Sequence, residues 1–423
     1  MKDSNALSRK RRAAPSFLDP LGGRAGRSPA LGALSTELIH HAYEPPTGFA
    51  APQPGVHKAS TVIFPNTAAM RARNWKEKAG YTYGLHGTPT TFTLEERIAT
   101  LEGGRHTLLL PSGLAAITLV NLALLKAGDE VLIPDNAYGP GKELARNELK
   151  GWGITHRFYD PMKPEALAGA IGPATKLLWL EAPGSVTMEF PDLVALIRVA
   201  RAKGVVTALD NTWGAGIAFK PFELRAADGE EPLGVDISMH ALTKFPSGGG
   251  DVLMGAVTTR DEALHLRLKF THMRMGWGVG ANDTETLLRA LPSLTLRYAA
   301  QDRAARVLAE WFARRPEITQ VLHPAMPGSP GHEHWQRLCT AAAGLFSVVF
   351  DERYTTAQVD AFVDSLKLFK IGYSWAGPMS LVVPYDLSSI RDTPAWRGVL
   401  VRFSIGLEAV EDLIDDCEQA LPA

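Results

Sequence analysis

Residues Val235–Val257 read VDISMHALTKFPSGGGDVLMGAV. Two apolar runs, Val235 to Met239 and Val252 to Val257, flank a loop carrying Thr243 and Lys244 and then a flexible run, Ser247-Gly248-Gly249-Gly250. The runs read as buried strands. A lysine between two strands is ordinarily a solvated loop residue. Its company changes that reading. Upstream, the apolar run from Val205 to Leu209 ends in Asp210-Asn211-Thr212-Trp213. Ligands of open α/β sheets sit beyond the carboxyl ends of the strands. An acid at one strand end and a lysine after another can therefore share one cleft. That pair suits an imine-forming cofactor, with the lysine as Schiff-base partner and the acid holding a pyridinium nitrogen protonated.

Outward from this stretch the pattern alternates between helix and strand. Leu94 to Leu101 reads as a helix, Thr107 to Leu110 as a strand, and Gly113 to Lys126 as a helix. Glu130 to Ile133, Ile154 to Phe158 and Lys176 to Leu180 are further strands; Lys142 to Gly151, Pro164 to Ile171 and Leu193 to Lys203 are further helices. Continuous apolar strands in repeated β–α–β units argue for a mostly parallel sheet covered on both faces. After Asp283 come two helical patterns, Thr284 to Leu291 and Leu294 to Arg315, then strands at Val348 to Phe350 and Val399 to Ser404. Helices at Ala357 to Leu366 and Ala409 to Ala420 complete a second, smaller α/β unit. Near the start, a helix is expected from Ser35-Thr36 and another over Arg71 to Lys78. Tyr81 to Thr90 reads as an irregular loop of the kind that carries function.

With 423 residues the chain exceeds one ordinary core. A formal net charge of −1 argues against a nucleic-acid or membrane-surface partner held by bulk charge. Only two cysteines occur, Cys339 and Cys417, which excludes a disulfide framework and fits a reducing, cytoplasmic setting. The stretch Thr107 to Leu125 is broken by Pro111-Ser112-Gly113 and reads as strand, turn and buried helix, not a membrane span. No signal peptide is read in the polar, basic first residues. Residues 1–33 have the composition of a disordered tail with a basic cluster at Lys10-Arg11-Arg12.

Several other positions bear on chemistry. Ser112-Gly113-Leu114 follows a strand and opens a helix, where backbone N–H groups can cradle a phosphate; a plain strand-to-helix turn reads the same way. Tyr138, after the strand Glu130 to Ile133, can stack on a flat ring or simply pack. Arg402 lies inside an apolar strand and needs a carboxylate partner, from the protein or from a substrate. His332-Glu333-His334 lacks the spacing that puts two imidazoles on one helical face, so no metal is expected.

Taken together these motifs resemble the pyridoxal-phosphate-dependent enzymes of cysteine and methionine metabolism, the trans-sulfuration family. The resemblance runs from about Ser35 to the C-terminus. It rests on Tyr83 to Thr88 (YGLHGT), Leu101 to Gly104 (LEGG), Leu180 to Glu189 (LEAPGSVTME) and Asp210 to Trp213 (DNTW), with Ala241 to Lys244 (ALTK), Tyr373 to Gly377 (YSWAG) and Arg402 to Glu408 (RFSIGLE). It implies an aspartate-aminotransferase-like fold (PLP fold type I). In that fold a mostly parallel seven-stranded sheet domain is joined to a smaller C-terminal α/β domain. The implied divisions are a tail at 1–33, an arm at 34–87 contacting a neighbouring subunit, a cofactor-binding domain at 88–289 and a small domain at 290–423. A homotetramer built from dimers is implied as well.

Position by position, the resemblance makes Lys244 the Schiff-base and proton-carrying lysine and places Asp210 on the pyridine nitrogen. Tyr138 stacks on the ring. Ser112, Gly113, Leu114 and Thr243 hold the phosphate, with Tyr83 arriving from the neighbouring subunit; Tyr138 and Tyr83 also count as catalytic. Arg402 and Ser374 take the substrate α-carboxylate, and Trp375 walls the pocket. Ser185, where γ-acting relatives often carry asparagine, favours β-elimination of L-cystathionine to homocysteine, pyruvate and ammonia. A broader β-lyase acting on cysteine S-conjugates is also compatible, and a γ-acting lyase or synthase and a non-catalytic cofactor-binding regulator are the alternatives. Two departures from the family pattern stand out. Leu85 occupies the place of a phosphate-binding arginine, with His86 beside it as a partial substitute, and Gly248-Gly249-Gly250-Asp251 replaces a G-H-S-D loop.

Overall fold

The computed structural model describes residues 31–41, 47–78, 80–224, 233–386, 388, 390–391 and 396–421. The tail expected at 1–33 lies outside the described residues up to residue 30. Seven strands form the first sheet: β1 (His106–Leu110), β2 (Glu130–Pro134), β3 (Thr155–Tyr159), β4 (Thr175–Glu181), β5 (Val206–Asp210), β6 (Ile237–His240) and β7 (Gly255–Thr259). Their order is β1-β7-β6-β5-β4-β2-β3, with β7 antiparallel to both neighbours and the other pairings parallel. The mostly parallel seven-stranded sheet is therefore present. It is buried on both faces, as the continuous apolar strands require. Leu178, Leu180 and Leu209 face Leu94, Ile98, Leu193 and Ile197 on one side. Alternating with them, Leu177, Trp179, Ala208 and Met239 face Ile117, Val120 and Leu268 on the other.

Five strands form the second sheet: β8 (Ile318–Leu322), β9 (Leu345–Phe350), β10 (Lys370–Ile371), β11 (Leu381–Tyr385) and β12 (Leu400–Ser404), in the order β10-β11-β12-β9-β8. Phe346, Phe350 and Phe403 pack there against Phe312 and Phe362. This is the smaller α/β unit.

Several boundaries differ from the sequence reading. The first helix spans Leu31–Ile39, four residues ahead of the expected Ser35. Arg71 to Lys78 is not a helix: the helix is Thr67–Arg71, capped by Asn66, and none of its residues is buried. The loop before Leu94 ends earlier than expected, because Thr88 and Thr91 form a capping box and Pro89 sits at the first helical position, giving a helix over Pro89–Glu102. The expected helix from Lys142 is Gly139–Leu144 followed by a π-helical turn, Ala145–Leu149. The strand after the glycine run begins at Gly255, not Val252.

Candidate active site

Five strands of the first sheet deliver a polar residue at or just beyond the carboxyl end. β1 leads to Ser112, β2 to Tyr138, β4 ends in Glu181, β5 in Asp210, and β6 leads to Lys244. The cleft is the one that open α/β topology predicts.

The Lys244 Nζ donates to Ser374 Oγ at 2.7 Å and lies 5.4 Å from the centre of the Trp375 ring. Burial, with the Arg402 guanidinium nearby, lowers its pKa to about 8, against the opposing pull of Asp210. The turn supplying Ser374 and Trp375 is strained: Ser374 has φ 122° and Ala376 φ 67°. Arg402 is buried, donates from Nη2 to the Ser374 carbonyl at 3.3 Å, and lies 5.4 Å from the Tyr385 ring centre. Its Nε is buried without a partner, and among the described residues it pairs with no carboxylate. A buried guanidinium left in that state is arranged for a carboxylate that arrives with a ligand.

Asp210 accepts from the Thr212 N–H at 3.0 Å and the Thr212 hydroxyl at 2.5 Å. The same hydroxyl accepts from the Ala241 N–H at 2.9 Å, so the acid is tied to the lysine's loop. The Thr243 hydroxyl is held between the N–H and carbonyl of Met254, both at 3.1 Å. Tyr138, Glu181, Asp210, Ile117 and Asn121 line one cavity. Ser112 caps the helix Gly113–Leu124 through the Ala115 N–H at 3.0 Å. The first-turn amides at Gly113 and Leu114 have no intrahelical acceptor. A Cβ on Gly113 would stand 2.7 Å from the Ala241 Cβ, so the glycine lets the helix end and this loop meet.

Tyr83 is not brought to this cluster within one chain. It is 46 % exposed, and its ring contact is with His86 at 5.9 Å. Leu85 and His86 line a separate cavity with Trp75, Glu95, Lys269 and Trp277. The expectation that His86 stands in for a phosphate-binding arginine meets a difficulty here. Its Nδ1 is 2.8 Å from the Thr82 hydroxyl, and burial and the Lys269 charge lower its pKa.

Sequence reading missed several groups. Glu181 accepts from the Tyr138 N–H at 2.8 Å and the Ser185 hydroxyl at 2.7 Å. It closes an apolar strand just as Asp210 does, and that shared pattern was the available signal. Glu102, fully buried, gathers Asn211, Ser238 and His240 beneath the strand ends at 2.8, 2.7 and 2.8 Å. Arg391 bridges Asp135 at 2.7 Å and Glu189 at 2.9 Å, tying the segment after β11 to the large sheet. Arg297 donates to the carbonyl of Phe245, the residue after Lys244, at 2.7 Å.

Residues 35–422 match the model of the Cys/Met metabolism PLP-dependent enzymes. The chain belongs to this family. A cystathionine beta-lyase of Bordetella avium is 39% identical over 385 residues, covering 90% of this chain and 94% of the relative. An L-alanine/L-glutamate racemase of Wolbachia pipientis is 34% identical, covering 87% and 92%. The solved structure of metB from Corynebacterium glutamicum superposes with a TM-score of 0.82 at 28% identity, covering 92% and 97%. The family's cofactor is pyridoxal 5'-phosphate, and the site fits it. A helix N-terminus opened by Gly113, a buried acid, an amine of lowered pKa and an exposed aromatic face answer its phosphate, ring nitrogen, aldehyde and ring.

Proposed function

We propose that this chain is a carbon–sulfur lyase that cleaves L-cystathionine by α,β-elimination, giving homocysteine, pyruvate and ammonia. The reading is carried by the buried Arg402, which meets no protein carboxylate among the described residues and stands close enough to Lys244 to lower its pKa. An amino acid whose carboxylate pairs with Arg402 presents its α-carbon toward the lysine.

Asp210 would hold the cofactor's ring nitrogen, Tyr138 its face, and Ser112, Gly113, Leu114 and Thr243 its phosphate. When bound, the cofactor supplies an electron sink for charge developing at the α-carbon. Lys244, as a neutral amine, removes the α-proton; as an ammonium it is the proton donor for the departing sulfur. Ser374 holds the amine in place, and Trp375 closes that side against water. Tyr83 would come from a second copy, since its ring is exposed and meets His86, not its own chain's cluster, among the described residues. That arrangement supports an assembly of dimers, and a homotetramer is the order we assign. The two sheets support a division into an arm at 34–87, a large domain at 88–289 and a small domain at 290–423.

Product analysis is the test. The purified holoprotein given L-cystathionine should release pyruvate and homocysteine in equal amounts. Appearance of 2-oxobutyrate would assign γ-chemistry instead. Conversion of L-alanine to its D-form without any keto acid would place the chain with its racemase relative. Lyase rates retained by Lys244→Ala would sink the assignment of the base.

A further inference from the structure

Glu181 and Asp210 are register partners on the adjacent parallel strands β4 and β5, so their side chains leave the same face of the sheet. Both line the cavity beneath Tyr138. Two acids this close, removed from water, do not both ionise readily. We propose that Glu181 and Asp210 form a carboxyl pair that carries one proton, with Glu181 taking it so that Asp210 faces the cofactor's ring nitrogen as the single negative charge. This rests on the reading that Asp210 faces that nitrogen.

The partners of Glu181 suit a group that changes protonation in place. Oε2 accepts from the Tyr138 N–H at 2.8 Å, and that bond survives when Glu181 is neutral. Oε1 accepts from the Ser185 hydroxyl at 2.7 Å. A hydroxyl can turn from donor to acceptor, so Ser185 can receive a proton-bearing Oε1 without moving a heavy atom. Asp210 has no such latitude at Oδ1, since the Thr212 amide N–H and hydroxyl both donate to it. The bonding therefore favours charge on Asp210 and the proton on Glu181.

Electrostatics point the same way. Burial first, then the Asp210 charge, hold Glu181 well above the usual carboxylate range; burial raises Asp210 too, but the Thr212 bonds oppose it. Other titratable groups face the pair as well. Lys142 and the Tyr138 phenol come from the segment after β2, His240 from the end of β6, and Lys244 from the loop beyond it. None of these makes a direct ion pair with either acid. Glu181 is thus a positioning residue. It fixes the Tyr138 backbone and sets the charge that Asp210 can offer.

The test reads protonation, not turnover. Infrared spectra of the wild-type protein at pH 7, with and without cofactor, should contain the carbonyl band of a protonated, buried carboxyl. Glu181→Gln should remove that band from the cofactor-bound protein while the cofactor still binds. In apoprotein carrying Asp210→Asn, the band should titrate at a pH lower by about one to two units, because the like charge is gone. Ser185→Ala should raise the pH at which the band disappears, because the carboxylate loses a hydrogen-bond donor. A wild-type spectrum without the band overturns the proposal even if Glu181→Gln fails to fold. A band unchanged by Glu181→Gln assigns the proton elsewhere and overturns it too. Neither result touches the assignment of Asp210 to the ring nitrogen, which a loss of cofactor affinity in Asp210→Asn tests separately.

Discussion

Lys244 Nζ and Ser374 Oγ meet at 2.7 Å, joining the loop after β6 to a strained turn of the smaller unit. The lysine is held where it loses water and feels the Arg402 charge, so its pKa falls from 10.5 to about 8. Below pH 8 it is protonated in both folded and unfolded chains, and the folded state bears the full cost of burying that charge. Stability should therefore rise with pH between about 8 and 10.5, where only the unfolded chain still binds the proton. Lys244→Met should abolish turnover and yet stabilise the cofactor-free protein at pH 7 by roughly 1–3 kcal/mol. Thermal unfolding of both apoproteins checks this; a lower Tm for the variant contradicts it.

Arg402 is the second cation of the cleft and has no protein carboxylate for a partner among the described residues. Arg402→Lys keeps the charge but loses the planar fork that grips a carboxylate. We expect kcat/KM for L-cystathionine to fall roughly 100-fold, a loss of about 3 kcal/mol. Cofactor affinity should be unchanged, since the assigned contact is with substrate alone. Steady-state kinetics beside a cofactor titration separates the two.

Arg297 reaches the loop from beneath. It donates to the carbonyls of Phe245 and Ala290 at 2.7 and 3.1 Å, and it occupies the space a Cβ on Gly248 would enter. Gly248 also has φ 64°, a region that side chains other than glycine rarely adopt. Arg297 thus gives a local reason for Gly248, the glycine the family's loop also carries, and not for the departures at Gly249 and Gly250. Gly248→Ala should destabilise the protein by about 1–3 kcal/mol. Combining it with Arg297→Ala should recover part of that loss, because the clash is removed. Strict additivity in a double-mutant cycle of Tm values would refute the coupling.

The legible parts of this chain share one feature: a residue that cannot be apolar filler stands against an apolar run. Asp210 ends such a run, Lys244 lies in the loop beyond one and Arg402 lies inside one, and the strand ends bring the first two to one cleft. Juxtaposition across strands was not legible. Nothing in LEAPGS states that Glu181 lies beside Asp210. Glu262–Met275 escaped for a different reason. Leu264-His265-Leu266-Arg267-Leu268-Lys269-Phe270 alternates with a period of two, which mimics a strand. Asp261 at the N-cap and Gly276 in the left-handed region make it a helix, burying His265, Leu268, Lys269 and His272 on one face. The helix expected over Arg71 to Lys78 does not form there because that stretch has charge but no apolar face to bury.

Leu85 and His86 yield the last prediction. Leu85 packs near Gly278, where a Cβ would lie 3.3 Å from Leu85 Cδ1, in the cavity that also holds Lys269 and His272. His86 sits 5.3 Å from the Trp75 ring centre. Burial and the charges of Lys269 and Arg73 lower its pKa, so the imidazole is neutral at pH 7. A neutral imidazole held by Thr82 offers a phosphate little. His86→Gln should therefore leave cofactor affinity at pH 7 within about twofold, since less than 0.5 kcal/mol is at stake. Leu85→Arg restores the family's residue, but it inserts a cation beside Lys269. It should lower the Tm of the apoprotein without raising cofactor affinity. Equilibrium dialysis of the cofactor against the three proteins decides it. Tighter binding by Leu85→Arg would mean that the side chain escapes this cavity and reaches a phosphate in the neighbouring copy.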